Sequence, residues 1–534
     1  MVVVLVLMAV VRLRLLNFSL ERDEGEYAYA GQLLLQGIPP YHLAYNMKFP
    51  GTYAMYALIM FLFGETPAGI HFGLTIITTL TSLMLYWLGK RMLDLTAGVV
   101  AATSYAVLAA NTALFGLAGH ATHFAAFFAT AGLCLMWKAR QTVRWQTVSA
   151  AGLMCGVAML MKQHAAIIGI WAFGVLARES FSRKRTGGIR SLRIPAAFGI
   201  GAALPLALCC LTLWGAGVFQ QFWFWTVDYA RQYVSIVPVS TVGSQLWWSI
   251  RSMASEDFLL WLPCLAGFGM IWFDERLRQS RWWLLGFSLA SILTTVPGFY
   301  FRTHYFLLTL PALGLLAGCA VSGACEWLRR KAGAMRFRQW PAVVYALLLA
   351  LTVIKTSGAW SVFASQGAHT LYGAELFPEA EKTAAFISKY SPPDAKIAVL
   401  GSEPEIYFLA RRHSATGYIY TYPLMEPQPF ASVMQREMIR EIETNSPEFV
   451  VFVNRDFSWH QEPRSDTTIF TWWNDYQTNY TMVGLIEQNW PYPSRYFWGK
   501  DAAARGRLKG TGMEIYLRRA SPPPSVTNVV PKVP

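Results

Sequence analysis

No cysteine follows Cys325, and all seven (Cys134, Cys155, Cys209, Cys210, Cys264, Cys319, Cys325) lie in the apolar part of the chain. A disulfide framework or a CxxC metal knuckle is therefore excluded from the polar remainder, and the thiols read as small buried hydrophobes. Charge is also scarce: only 14% of the 534 residues are Asp, Glu, Lys or Arg, against 54% hydrophobic. With a mean hydropathy of +0.32, an ordinary soluble globular protein is excluded. The chain lacks a phosphate-cradling GxxxxGK[ST], a nucleophile elbow and an HExxH, which argues against ATP-driven transport, α/β-hydrolase chemistry and zincin proteolysis.

What is present is a polytopic α-helical membrane part followed by a polar part. The apolar material stops near Phe363. From residue 364 onward there are 17 Lys/Arg against 18 Asp/Glu, which leaves 28 against 13 before it, so the net charge of +14 belongs to the membrane part. Such an excess fits basic cytoplasmic loops and membrane lipid, and no nucleic-acid partner is expected. The expected domains are 1–363 (first extracytoplasmic loop 17–69), 364–520 and a Pro-rich disordered tail, 521–534.

Five basic clusters set the topology: Lys90-Arg91, Lys138 to Arg144, Arg178 to Arg193, Arg276 to Arg281 and Arg329 to Arg338, together 19 Lys/Arg. Placing all five in the cytoplasm requires spans near 1–16, 70–89, 95–115, 120–137, 146–161, 163–177, 194–214, 257–273, 282–297, 304–322 and 341–361, about eleven helices. Residues 1–16 are read as a first span, because no small-x-small cleavage site follows. Apolar 52–63 is too short to cross about 30 Å and is read as interfacial or re-entrant. The aromatic stretch 216–248 reads as a headgroup-zone belt, with a lining for a prenyl chain as the sharper alternative.

Beyond 363, strand and helix patterns alternate: helices near 379–389, 404–410 and 431–444, strands near 396–400, 449–453, 480–486 and 513–518. This predicts a small extracytoplasmic α/β domain.

The same topology puts Arg22-Asp23-Glu24-Gly25-Glu26-Tyr27, Lys48, Lys162-Gln163-His164 and Arg302-Thr303-His304-Tyr305 on one, extracytoplasmic, side. Carboxylates at a hydrocarbon boundary are costly, so Asp23, Glu24 and Glu26 define a candidate site. A carboxylate can take a proton from an attacking hydroxyl, and Lys48 can neutralise a departing phosphate. A helix expected from Glu26 to Gln36 would present Asp23 and Glu24 just before its first turn. The plainer reading is a loop cap, with Asp23 capping a helix that starts near Gly25 and Lys48 paired to it. Lys162 and Arg302 have snorkelling as their plainer reading. His120 and His123, without a third ligand nearby in sequence, are read as helix-end polar packing.

These motifs resemble the GT-C superfamily of integral-membrane glycosyltransferases, in particular the bacterial branch similar to protein O-mannosyltransferases and the lipid A aminoarabinose transferase. The resemblance rests on Asp23-Glu24-Gly25-Glu26-Tyr27, Gly37-Ile38-Pro39-Pro40-Tyr41, Asn46-Met47-Lys48-Phe49-Pro50-Gly51, Lys162-Gln163 and His304-Tyr305-Phe306-Leu307. In the second domain it rests on Gly401 to Phe408 and Tyr418-Ile419-Tyr420. It implies inverting transfer of a sugar from a polyprenyl-phosphate-sugar donor to a glycan, lipid or protein acceptor, at the extracytoplasmic face of a bacterial inner membrane. Asp23 would be the base, Glu24 its support or a cation contact, and Lys48 the phosphate ligand. Lys162, Arg302, His304 and Tyr305 would lie near the donor, with Glu26, Tyr27 and Tyr41 completing the first loop. Some members use a divalent cation and others none; no cluster in this sequence decides between them. A transporter or flippase for lipid-linked sugars is the alternative, although it would be expected to show inverted repeats.

Overall fold

The computed structural model describes residues 1–142, 144–182, 190–332, 339–366 and 372–519. The expected disordered tail, 521–534, lies outside them, as do 183–189 and 333–338 of two basic clusters.

Among the described residues, fifteen α-helices run from the N-terminus to Gln366: α1 (Val2–Arg14), α2 (Arg22–Leu35), α3 (Gly51–Phe63), α4 (Pro67–Met92), α5 (Leu95–Leu108), α6 (Ala121–Thr142), α7 (Trp145–Met161), α8 (Ala166–Ser182), α9 (Arg190–Gly215), α10 (Phe219–Trp223), α11 (Ala230–Tyr233), α12 (Val242–Phe273), α13 (Arg281–Leu293), α14 (Leu310–Ala332) and α15 (Trp340–Gln366). Among the described residues, five stretches are long and apolar enough to cross a membrane: Pro67–Met92, Arg193–Gly215, Val239–Phe273, Thr303–Lys331 and Trp340–Ser357. The chain is thus a multi-pass membrane protein. The other six expected spans fall on α1, α5, α6, α7, α8 and α13. At 13 residues α3 is about 20 Å long, the same length as α1 and α13.

Small residues let the helices approach. A Cβ on Gly152 of α7 would come within 2.1 Å of the Phe198 carbonyl of α9, and one on Gly156 within 2.2 Å of that of Ala202. Where lipid is as apolar as the side chains, such backbone contact is what holds helices together. Helix α12 kinks at Asp257 (φ −119°), whose carboxylate accepts from Asn111 Nδ2 at 2.6 Å.

Two expectations change. The first-loop helix starts at Arg22 and not at Glu26, because Glu21 caps it: the Glu21 side chain accepts from Glu24 N at 2.9 Å, and Glu24 reaches back to Glu21 N at 3.4 Å. This capping box draws Asp23 and Glu24 into the first turn, ahead of the apolar periodicity; Asp23 is not the cap. The aromatic stretch 216–248 also divides by side. Trp223, Trp247 and Trp248 are exposed, while Phe222, Trp225, Tyr229 and Tyr233 are buried, and a π-turn, Phe224–Tyr229, interrupts the helix between them.

Beyond α15 lies the α/β domain, a six-stranded sheet in the order β2-β1-β3-β6-β4-β5. β1 (Lys396–Leu400) pairs in parallel with β2 (His413–Ser414) and β3 (Phe449–Asn454); β6 (Gly512–Arg518), β4 (Tyr480–Glu487) and β5 (Arg495–Trp498) complete it antiparallel. The domain seats directly on α2. Arg22 donates to the Ser402 carbonyl at 2.6 Å and pairs with Glu375 and Glu403, and Ser414 N donates to the Tyr29 hydroxyl at 2.8 Å. Gly25 is required here, since a Cβ would lie 2.6 Å from Glu405 N.

Candidate functional site

Spacing along α2 sorts its acids. Asp23, Glu26 and Tyr27 stand at i, i+3 and i+4 and share a face, whereas Glu24 turns to a neighbouring one. Lys48 meets that shared face, with Nζ 2.9 Å from Asp23 Oδ1 and 2.5 Å from Glu26 Oε2. The ammonium also lies 4.6 Å from the centroid of the Tyr27 ring. Tyr53 donates to the other oxygen of Glu26 at 2.6 Å. The loop that carries Lys48 is pinned from both sides: Tyr41 donates to the Lys48 carbonyl at 2.7 Å, and Gln163 to the Met47 carbonyl at 2.7 Å.

Electrostatics follow this pairing. Burial alone would raise the Asp23 carboxyl, but Lys48 and His120 outweigh it and hold the group well below the usual carboxylate range. Burial wins at Glu26, which is raised despite Lys48, and at Glu21, pushed up to about 7. Of these three acids, Asp23 is the one held ionised.

Glu24 is fully buried. One oxygen lies 3.2 Å from His71 Nε2 and accepts from Gly119 N, and Tyr56 donates to the Gly119 carbonyl at 2.7 Å. Glu24 therefore clamps the loop ahead of α6 and lines neither crevice described below.

That loop delivers His120, and the expectation of plain helix-end packing is corrected for this residue. His120 Nδ1 is 3.5 Å from Asp23 Oδ2, and its ring stacks on His304 with centroids 4.4 Å apart and planes at 3°. Ligand atoms of Asp23, His120 and His304 lie within 4.8 Å of one another, and neither His120 ring nitrogen has a hydrogen-bond partner. One carboxylate and two imidazoles are a donor set that suits a divalent cation such as zinc. His123, also buried, is not in that cluster.

Lys162 stacks its ammonium 4.6 Å over the Tyr305 ring, and burial lowers its pKa. Arg302 lies 5.4 Å from the Tyr300 ring and is exposed. The α/β domain adds what sequence reasoning missed: Tyr420 donates to Asp23 Oδ1 at 3.1 Å, with Tyr422 and Glu426 beside it. The Tyr418-Ile419-Tyr420 motif was the available signal, but nothing in it names a partner 397 residues away.

Two crevices meet at Asp23. One, of about 450 Å³, is lined by Lys48, Trp225, Tyr229, Tyr420 and Glu426; the other, of about 980 Å³, by Glu21, His120, His304, Tyr372 and Glu375. Asp23, Arg302 and Tyr422 line both. A third, apolar groove of about 880 Å³ runs beside Pro50 and Gly51, between Pro39, Leu160, Pro205 and Leu213.

Residues 48–214 match the family described as dolichyl-phosphate-mannose-protein mannosyltransferase. The undecaprenyl phosphate-α-4-amino-4-deoxy-L-arabinose arabinosyl transferase of Pseudomonas aeruginosa is 26% identical over 291 residues. That alignment takes in 51% of this chain, and the chain spans about half the length of the curated relatives it matches, 50% in this case. Among solved structures, ArnT from Cupriavidus metallidurans bound to undecaprenyl phosphate superposes with a TM-score of 0.56 at 16% identity, over 85% of this chain and 93% of that one. The apo oligosaccharyltransferase of Archaeoglobus fulgidus gives 0.53 at 13% identity, over 93% and 74%. At these identities the likeness to the solved structures is one of fold, and the family match is confined to residues 48–214.

Proposed function

We propose that this chain is a glycosyltransferase that moves a sugar, with inversion, from a polyprenyl-monophosphate carrier to an acceptor hydroxyl on the extracytoplasmic face of a bacterial inner membrane. The observation that carries this reading is the position of Asp23, ionised and shared by two crevices, one of which holds Lys48 and Arg302. The sugar and phosphate of the donor would sit beside Lys48, with the prenyl chain in the apolar groove at Pro50-Gly51, and the acceptor in the His120 crevice. Names of relatives that act on undecaprenyl phosphate sugars support the donor class.

In this scheme Asp23 accepts the hydroxyl proton as the acceptor oxygen bonds to the anomeric carbon. The bond from that carbon to the phosphate oxygen breaks, and Lys48 and Arg302 neutralise the leaving polyprenyl phosphate. Glu24 holds the Gly119-His120 loop in place, and Glu26 with Tyr53 fixes Lys48. Lys162 and Tyr305 back the donor side. Asp23, His120 and His304 would hold a divalent cation, which would supply charge neutralisation at the phosphate. Eleven spans with all five basic clusters in the cytoplasm would put α2, Lys48 and the α/β domain (364–520) on the outer face.

The test is transfer of radiolabelled sugar from a panel of polyprenyl-phosphate sugars in membranes carrying wild type, Asp23→Asn or Lys48→Ala. Transfer by wild type that both variants lose is expected. Unchanged transfer by Asp23→Asn would sink the assignment, and no transfer from any donor would favour a carrier of lipid-linked sugars.

A further inference from the structure

The crevice on the Lys48 side holds one acid that the proposed reaction does not use. Glu426, from the α/β domain, faces it together with Trp225, Tyr229, Tyr233, Tyr420 and Tyr422. Tyr229 donates a short hydrogen bond to one Glu426 oxygen; the other accepts no hydrogen bond among the described residues. No cation pairs with this carboxylate there, and burial pushes it up to about 7. A half-buried carboxyl with one hydroxyl for company leaves an oxygen free to accept from a bound ligand.

Its surroundings say which ligand. Trp225 and Tyr229 both sit in the π-turn, Phe224–Tyr229, the only such turn among the described residues. The inserted turn is what directs both rings inward while Trp223 stays exposed, and π-turns of this kind recur at functional sites. Aromatic walls offer flat faces to the C–H bonds of a sugar ring, and a lone acceptor at their edge suits ring hydroxyls. An ammonium would need a fully ionised carboxylate, which burial disfavours; a hydroxyl needs only an acceptor. Lys48 and Arg302 line the same crevice, so Glu426 shares it with the groups assigned to the phosphate and faces what hangs from that phosphate.

We infer that Glu426, held by Tyr229, is the sugar-reading residue of this protein, accepting hydrogen bonds from the hydroxyls of a neutral monosaccharide linked to the polyprenyl phosphate. The inference rests on the donor assignment above and goes beyond it by naming the sugar class and the group that selects it. Glu426 is a specificity residue here; Asp23 remains the proposed base.

The test compares binding of three probes to detergent-solubilised full-length protein, read by Trp fluorescence: bare polyprenyl phosphate, the same lipid carrying a neutral hexose, and the same lipid carrying an amino sugar. Wild type should bind the hexosyl lipid more tightly than the bare lipid. Glu426→Gln should lose roughly two- to tenfold of that affinity, the range for a hydrogen bond between neutral groups. Its affinity for the bare lipid should not change. Tyr229→Phe, which keeps the carboxyl and the packing, should lose part of the same increment and guards against a misfolded Glu426→Gln. Equal binding of bare and hexosyl lipid by wild type, an increment that survives Glu426→Gln, or tighter binding of the amino sugar would each overturn the inference while leaving the phosphate site standing. If wild type binds none of the three, the donor assignment itself fails and takes this inference with it.

Discussion

The membrane half and the α/β domain bury carboxyl groups in opposite ways. In the membrane half the acids of the site lie against a cation or an imidazole: Asp23 and Glu26 on Lys48, Glu24 on His71. In the domain, where Glu403 at the seam pairs with Arg22 and Glu514 with Arg507, three other acids meet hydroxyls, a backbone N–H or nothing. Glu441 accepts from Thr416 and Tyr45, Glu426 from Tyr229, and neither Glu405 oxygen has a hydrogen-bond partner. Burial raises all three, whereas Asp23 is lowered. The difference teaches that Asp23 and Glu24 stay ionised because a cation or an imidazole outweighs their burial, whereas acids at which burial wins, Glu26 among them, are raised.

The comparison breaks most visibly at Asp23. Under the proposed reaction, Asp23→Asn should cut turnover by roughly 10²- to 10⁴-fold, measured as sugar transfer at saturating donor. Glu24→Gln, one residue away but lining neither crevice, should cost far less. A loss in Glu24→Gln as large as that in Asp23→Asn would show that adjacent acids do not divide their roles by face.

Next in size is the seam between the halves. Arg22→Ala leaves Glu403 buried without its cation, a change that costs about 3 kcal/mol for pairs of this kind. Limited proteolysis should then release the domain earlier than in wild type.

The protonation contrast gives opposite pH dependences. Glu405 has a folded pKa well above its ordinary 4.5, so its contribution to stability is full below about 4.5 and is lost as pH rises through the raised value. Asp23, lowered below its ordinary 3.8, contributes above that value and loses it as pH falls through the depressed one. Melting temperature measured from pH 4 to 9 should therefore drop less steeply on the alkaline side in Glu405→Gln than in wild type. An unchanged slope would mean that Glu405 is ionised in the fold.

The smallest effect is expected at Tyr420. Removing its hydroxyl in Tyr420→Phe deletes one hydrogen bond to Asp23 and should lower turnover by roughly 2- to 10-fold, with donor binding kept. The result would show whether the domain tunes the base or only covers it.

Much of this was legible in the chain. Residues that stand close in sequence could be read: Asp23, Glu24 and Glu26 cluster after the first apolar segment, Lys48 follows within one loop, and alternating strands and helices announced the second domain. The start of α2 was misplaced because periodicity marks where a helix becomes amphipathic, while a capping box sets where it begins. His120 was misjudged because a lone histidine at a helix end reveals nothing of a carboxylate 97 residues earlier.

The sequence by itself determined the solvent of each half and the acids at their boundary, because hydropathy and charge placement act residue by residue. Only the tertiary structure decided which acid is ionised, which crevice it faces and which side chains complete it. Those properties depend on distances of a few ångströms between segments hundreds of residues apart, such as Tyr420 on Asp23 and Tyr229 on Glu426, and on how deeply each carboxyl is buried once they meet.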